Sequence, residues 1–146
     1  MNSNKLSLYL ECLDEAFRRL ARRLHAEFAQ NMVGGITMSQ FIVLKILKTK
    51  GKVTVSEVAD ELYVSLSSVT ALADRLYKVG FVQRLRDEQD RRLVWLKLTE
   101  EGENIVLLCQ EARRQVIEKY FSCLSEEDIK QLIKLCEKVN DNLKQQ

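Results

Sequence analysis

The 146-residue chain contains no proline, five glycines, one histidine and four cysteines. The absence of proline and the scarcity of glycine disfavour a β fold with many tight turns and favour helices. The single histidine, His25, cannot form a histidine metal cluster, and no serine nucleophile lies near it to complete a catalytic triad. The cysteines form no CxxC pair, which excludes a zinc ribbon or a thioredoxin-type motif. No cofactor or metal is expected.

Long apolar runs are also missing. None approaches the ~20 residues that a bilayer-spanning helix needs. Glu11, Asp14 and Glu15 interrupt the N-terminal segment, so it does not match a secretion signal. We therefore expect a cytoplasmic protein with no membrane partner. The length fits one domain, and residues 1–146 are predicted to form it.

A strong charge of one sign is absent as well, since the net charge is only +2. Any nucleic-acid surface must therefore be local. The segment from Arg75 to Lys97 contains seven basic and three acidic residues, a net +4, which leaves −2 for the remainder. A basic patch on a slightly acidic body is typical of a DNA-binding protein. No Gly-rich phosphate loop or nucleophile elbow is present, which argues against an enzyme.

Two short helical patterns lie within Thr54–Gly80. The first opens with a capping box, in which the Thr54 hydroxyl and the Glu57 side chain satisfy each other's backbone N–H groups. After a break, Ser65 is a good N-cap for a second helix that ends near Gly80. The second helix has short hydroxyl side chains near its start, followed by a cation. This pattern predicts a helix-turn-helix whose second helix reads the major groove of DNA.

The apolar period then changes from helical to alternating, which predicts a β-hairpin with a charged tip. Such a hairpin is the wing of a winged helix-turn-helix. Two adjacent arginines at its tip can reach a narrow minor groove, and Asp87 and Asp90 are expected to pair with them. The predicted DNA-binding residues are Ser56, Ser65, Ser67, Ser68, Thr70, Arg75, Arg84, Arg86, Asp87, Asp90, Arg91 and Arg92. We expect the hydroxyls to contact base edges and Arg75 to contact phosphate.

The order and spacing of four motifs resemble the multiple antibiotic resistance regulator (MarR) family. These motifs are Asp74-Arg75-Leu76, Gly80-Phe81-Val82, Asp87-x-x-Asp90-Arg91-Arg92 and Leu96-Lys97-Leu98-Thr99-x-x-Gly102. The resemblance implies a mostly α, α+β winged-helix fold with six helices and a two-stranded wing. It also implies a homodimeric transcriptional regulator of double-stranded DNA with a pseudo-palindromic site. Repression is expected, relieved by a small molecule or an oxidant.

Both ends of the chain carry long apolar stripes. One runs from Leu6 to Phe28 and the other from Ile129 to Leu143. The winged helix, assigned to residues 37–98, is too small to cover both stripes. Segments 1–32 and 99–146 are therefore predicted to form a helical dimerisation region. The alternative is a monomeric bundle packed on the winged helix.

The resemblance also implies regulatory sites on the first helix. Phe17, Leu20 and Leu24 are candidates for lining a pocket for a small aromatic or lipophilic effector, with ordinary core packing as the alternative. Cys12 lies where oxidant-sensing members carry a reactive cysteine. Its acidic neighbours Glu11 and Asp14 disfavour a thiolate, so a packed helical cysteine is the competing interpretation.

A winged helix can also serve as a protein-binding module, since fold alone does not settle function. A protein-docking face would be more apolar than the predicted hydroxyl-rich helix face and the arginine tip. The sequence therefore favours DNA binding.

Overall fold

A computed structural model describes residues 3–145. In these residues the chain forms six helices and three strands. The helices are α1 (Ser3–Asn31), α2 (Met38–Lys50), α3 (Val55–Leu62), α4 (Leu66–Lys78), α5 (Glu100–Phe121) and α6 (Glu126–Lys144). The strands are β1 (Lys52–Thr54), β2 (Val82–Arg86) and β3 (Val94–Leu98). The mostly helical winged-helix fold that the sequence predicts is confirmed.

Four helices begin at hydrogen-bonded caps, and the sequence predicts two of these caps, Thr54 and Ser65. Thr37, Thr54 and Ser125 each accept a hydrogen bond from the backbone N–H three residues on, and each is part of a complete capping box. Ser65 caps α4 in the same way without the return bond. Each cap satisfies backbone donors that would otherwise lack a partner at the first turn.

The antiparallel sheet has three strands in the order β1-β3-β2. The hairpin of β2 and β3 is the predicted wing. Strand β1 was not predicted, because three residues are too few to show an alternating pattern. It pairs with β3 through Val53 opposite Leu96 and Thr54 opposite Trp95. This pairing joins the segment that caps α3 directly to the wing.

The chain divides into two compact units within α5, the first ending at Arg113 and the second beginning at Arg114. In the first unit, α2, α3, α4 and the sheet enclose a core that includes Leu44, Val58, Val69, Leu76 and Leu96. In the second unit, the end of α5 and the apolar side of α6 line a cavity of about 440 Å³. Among the described residues, no helix is long and apolar enough to cross a membrane.

Helix α5 carries apolar residues on more than one side. Ile105, Val106 and Cys109 are buried in the core of the first unit, whereas Leu107 and Leu108 are exposed.

Most of α1 is uncovered in the single chain. Phe28 is the buried residue of this helix, and Leu6, Leu10, Leu13 and Phe17 are exposed. None of the described α6 residues is buried either. The two stripes identified in the sequence are therefore largely exposed, as expected if this single chain does not cover them.

Candidate nucleic-acid interface

The turn that joins α3 to α4 sets the direction of the second helix. Tyr63 adopts a left-handed conformation, with φ 55° and ψ 41°, and its N–H donates to carbonyl groups of the last turn of α3. The N–H of Val64 donates to the Ala59 carbonyl at 3.2 Å, and α4 begins after the extended residue Ser65. This arrangement exposes the first turn of α4 while Val69 and Leu76 pack in the core. Such exposure is required of a helix that enters a DNA groove.

The predicted hydroxyl cluster is present at the start of α4, and its members are exposed. The Ser65 hydroxyl accepts the N–H of Ser68 at 3.2 Å and lies 2.8 Å from the Ser68 hydroxyl and 3.2 Å from that of Ser67. Thr70 donates to the Leu66 carbonyl at 2.9 Å. A hydroxyl offers one donor and two acceptor positions. These local bonds therefore leave Ser67 and Ser68 with capacity for an external partner.

Ser56 and Arg75 are also exposed, Ser56 in the first turn of α3 and Arg75 in the last turn of α4. Within residues 3–145, the guanidinium of Arg75 makes no ion pair. A cation in this state is available to a phosphate group.

One cation among the predicted DNA-binding residues contacts other side chains of the protein. Arg84, on β2, forms an ion pair with Asp74 of α4 and lies over the ring of Tyr77 at 4.7 Å from its centroid. Arg84 therefore holds the wing against α4. Arg86, two residues further along the same strand, is exposed and has no ion-pair partner within the described part of the chain.

Asp87 organises the turn at the wing tip. One carboxylate oxygen accepts the N–H groups of Gln89 and Asp90, both at 2.9 Å, and the other accepts the indole N–H of Trp95 at 2.9 Å. The predicted pairing of Asp87 with a tip arginine is wrong: among the described residues its carboxylate accepts three N–H groups of the hairpin and makes no ion pair with Arg91 or Arg92. The Trp95 hydrogen bond, then the two backbone N–H groups, and finally the charge of Lys52 lower the pKa of the Asp87 carboxyl below its ordinary value.

Asp90 does hold an arginine, as predicted. It accepts the backbone N–H of Arg92 at 3.0 Å and the Arg92 Nε–H at 3.4 Å. The Arg92 side chain is nevertheless 93% exposed. Arg91 is exposed too, and its guanidinium makes no ion pair with any described residue. The tip thus presents two cations outward on a turn that two carboxylates fix.

The residues proposed for regulation lie elsewhere on the first unit. Phe17 and Leu20 are exposed on α1, and Leu24 is half-buried. A cavity of about 440 Å³ in this unit is lined instead by α2, α3 and Arg113 of α5. Its walls combine apolar side chains such as Phe41 with the cations of Lys45 and Arg113 and with the ion pair of Lys50 and Glu61. Cys12 is a free, exposed thiol on α1.

Three residues with a part in this surface were not identified from the sequence. Asp74 was noted only within a motif, yet it anchors Arg84. Trp95, on β3, donates its indole N–H to Asp87, and no local pattern in the sequence indicates this hydrogen bond. Lys52, on the unpredicted strand, lies over the Trp95 ring at 4.7 Å from its centroid. The register of β1 against β3 brings Lys52 and Trp95 together, and no local pattern indicates that register.

Comparison with known proteins places these features in a family. The MarR family profile matches residues 36–94. Over 117 residues the chain is 33% identical to the transcriptional repressor MdtR of Bacillus subtilis, a match that covers 80% of this chain and 76% of MdtR.

Solved structures agree with the sequence comparison. A MarR family protein from Bacillus stearothermophilus superposes with a TM-score of 0.81 at 28% identity, covering 99% of both chains. A variant of MarR from E. coli, solved in complex with operator DNA, superposes with a TM-score of 0.79 at 26% identity. That match covers 90% of this chain and 95% of MarR.

Proposed function

Because the chain belongs to the MarR family and is therefore a DNA-binding transcriptional regulator, we propose that it acts as a homodimer on a pseudo-palindromic site in double-stranded DNA. The observation that carries this proposal is the combination, in one unit, of an exposed hydroxyl-rich helix start and a fixed hairpin tip with two outward arginines. The E. coli relative solved with operator DNA supports it. A cytoplasmic location is part of the proposal.

The roles within the interface follow from chemistry. Ser67 and Ser68 are proposed to contact base edges in the major groove, because short side chains allow close approach and hydroxyls can donate or accept. Arg75 and Arg86 are proposed to contact phosphates. Arg91 or Arg92 is proposed to enter the flanking minor groove, where A·T-rich DNA is narrow and strongly negative. Arg84 supports these contacts by holding the wing on α4.

The test is a set of salt-dependent binding curves on one operator, obtained first by recovering bound fragments from the source genome. Loss of a phosphate contact in Arg75→Ala should weaken binding to all sequences and reduce the salt slope by about one unit. Loss of a base contact in Ser67→Ala or Ser68→Ala should relax preference at one position of each half-site, at a cost of about 1–3 kcal/mol. Arg92→Ala should lower affinity, salt slope and preference for A·T-rich flanks together.

The competing hypothesis is a winged helix that binds protein. Failure of the wild-type protein to shift any genomic fragment at moderate salt would favour it. Wild-type affinity and salt slope in both Arg91→Ala and Arg92→Ala would instead retain DNA binding and remove the wing from the interface.

The dimer proposal rests on the exposed stripes of α1 and α6, for which a second copy is the simplest cover. With it we propose the domain assignment of residues 37–98 to DNA binding and of 1–32 and 99–146 to dimerisation.

We further propose that the protein is a repressor. A reporter gene under the recovered operator should be more active when the chain is deleted, and lower activity on deletion would indicate an activator.

A small aromatic or lipophilic effector is proposed to release the DNA. A pocket at Phe17, Leu20 and Leu24 would need further walls from a partner protomer, because two of these side chains are exposed in the single chain. The cavity near Phe41 and Arg113 offers apolar walls and cations suited to an aromatic acid. Thermal-shift screening of aromatic acids, followed by DNA-release assays, tests this proposal. Stabilisation without DNA release would exclude an effector role.

Oxidation of Cys12 is the alternative signal, and the exposure of its thiol allows it. Cumene hydroperoxide should then release DNA from the wild-type protein and not from Cys12→Ser. Equal responses of the two proteins would remove Cys12 as a sensor.

A further inference from the structure

The wing hairpin contains a hydrogen-bond chain that begins in its strand and ends at its tip. The indole N–H of Trp95, on β3, donates to one oxygen of Asp87 at 2.9 Å. The other oxygen of Asp87 accepts the N–H groups of Gln89 and Asp90. Asp90 in turn accepts the N–H of Arg92. Because each hydrogen bond orients the group that makes the next one, the orientation of the Trp95 indole is connected to that of Arg92.

The ring of Trp95 is itself held on two sides. Lys52 of β1 lies over it at 4.7 Å from the ring centroid, and Thr54 is its cross-strand partner in the sheet. Thr54 is also the N-cap of α3. The strand that supports the indole is therefore continuous with the cap of the helix-turn-helix. A cation over an aromatic face and a hydrogen bond at the ring edge together restrict the ring in both directions.

Apolar packing alone does not explain Trp95 at this position. The ring is only half-buried and lies outside the core of the first unit. Its indole N–H is aimed at a carboxylate that already accepts two backbone N–H groups. A hairpin that needed only apolar cover at this position would not require a donor there.

We propose that Trp95 is a positioning residue for DNA recognition: through Asp87 it holds the turn that presents Arg91 and Arg92 to the minor groove. This inference rests on the proposed function of the wing. In this inference Trp95 itself does not contact DNA. Its effect on binding therefore depends on the presence of the arginines.

The variant that isolates the hydrogen bond is Trp95→Phe, which keeps an aromatic face for Lys52 and removes the indole donor. We expect it to weaken operator binding about fivefold, the equivalent of one hydrogen bond. The preference for A·T-rich flanks should fall as well. As a control, Trp95→Phe is introduced into the double variant Arg91→Ala/Arg92→Ala. There it should have no further effect on operator affinity or on the preference for A·T-rich flanks.

A second measurement reports the bond in solution. Trp95 is the single tryptophan of the chain, so its indole N–H gives one side-chain resonance in a ¹⁵N spectrum. Asp87→Asn should move this resonance in the free protein. Asp87→Asn should also weaken operator binding to about the same extent as Trp95→Phe.

The outcomes separate this inference from the proposed function. Undiminished binding by Arg91→Ala/Arg92→Ala would overturn the wing's role and the inference with it. Weakened binding by that variant, with wild-type binding by Trp95→Phe, would overturn the inference alone. An equal loss from Trp95→Phe with and without the arginines would show a general effect on the fold and would also overturn it.

Discussion

At the scale of single residues, Tyr63 has the least favourable backbone conformation among the described non-glycine residues. It is the one such residue with a positive φ, and its side chain is 96% exposed, so packing does not offset the strain. A left-handed non-glycine residue costs about 1 kcal/mol or more. We expect Tyr63→Gly to raise the free energy of unfolding by up to about 1 kcal/mol, as measured by urea denaturation. Tyr63→Ala, which removes the ring and keeps the strain, is the control and should show no gain.

Asp87 gives a pH dependence whose sign follows from its environment. Its pKa is lowered in the folded protein by the Trp95 hydrogen bond and the two backbone N–H groups. Its contribution to the wing is therefore complete above the ordinary aspartate pKa of about 3.9 and is lost as pH falls through the lower, folded value. The Trp95 indole resonance should stay constant from neutral pH down to about 3.9 and change only below it. A midpoint above the ordinary aspartate value, or an equal transition in Asp87→Asn, would contradict this assignment.

At the scale of elements, the start of α5 is locked to the turn between α4 and β2. The Thr99 hydroxyl donates to the Gly80 carbonyl at 2.6 Å and accepts the N–H of Gly102 at 3.0 Å, while the Thr99 N–H donates to the Phe81 carbonyl at 3.1 Å. Gly102 lies at this contact between the start of α5 and the turn. A Cβ added there would overlap the Phe81 carbonyl oxygen, a backbone atom that cannot rotate away.

Gly102→Ala should therefore destabilise the protein despite the higher helix propensity of alanine. We expect a loss of about 1–3 kcal/mol in the free energy of unfolding, the usual cost of overpacking, measured by chemical denaturation. Glu101→Ala, one residue earlier at an exposed position of the same helix, is the control and should change stability little. A stabilised Gly102→Ala variant would show that α5 can shift from this contact without cost.

The elements that the sequence predicted well are those with local signals. Thr54 and Ser65 mark helix starts because a cap acts within three residues. Strand β1 was not predicted, because its formation depends on β3, a partner distant in the chain. The partners of Asp87 were not predicted for a different reason: arginines and N–H donors all lie within a few residues of it, and only the folded hairpin decides which of them it holds.

At the scale of the whole molecule, the distribution of apolar side chains differs between the middle of the chain and its ends. The winged helix encloses one core of buried apolar side chains, although Leu66 and Val79 are among its exposed ones. By contrast, α1 exposes Leu10, Leu13 and Phe17, and α6 exposes Leu135 and Val139. Exposed apolar surface of this extent, in helices at heptad-like spacing, is typical of association between protomers. DNA affinity and oligomeric state should therefore be coupled.

Leu13→Glu tests that coupling. Leu13 is 54% exposed in the single chain, so a glutamate at this position need not disturb the core of the first unit. In a dimer it would place an unpaired carboxylate in the apolar interface, which costs several kcal/mol. We expect a folded monomer in analytical ultracentrifugation that binds the operator at least tenfold more weakly, because the second half-site is lost. Ala26→Glu adds the same charge at an exposed position on the other side of α1 and should remain dimeric and active. A dimeric, fully active Leu13→Glu protein would exclude this face of α1 from the interface and leave α6 as the remaining candidate.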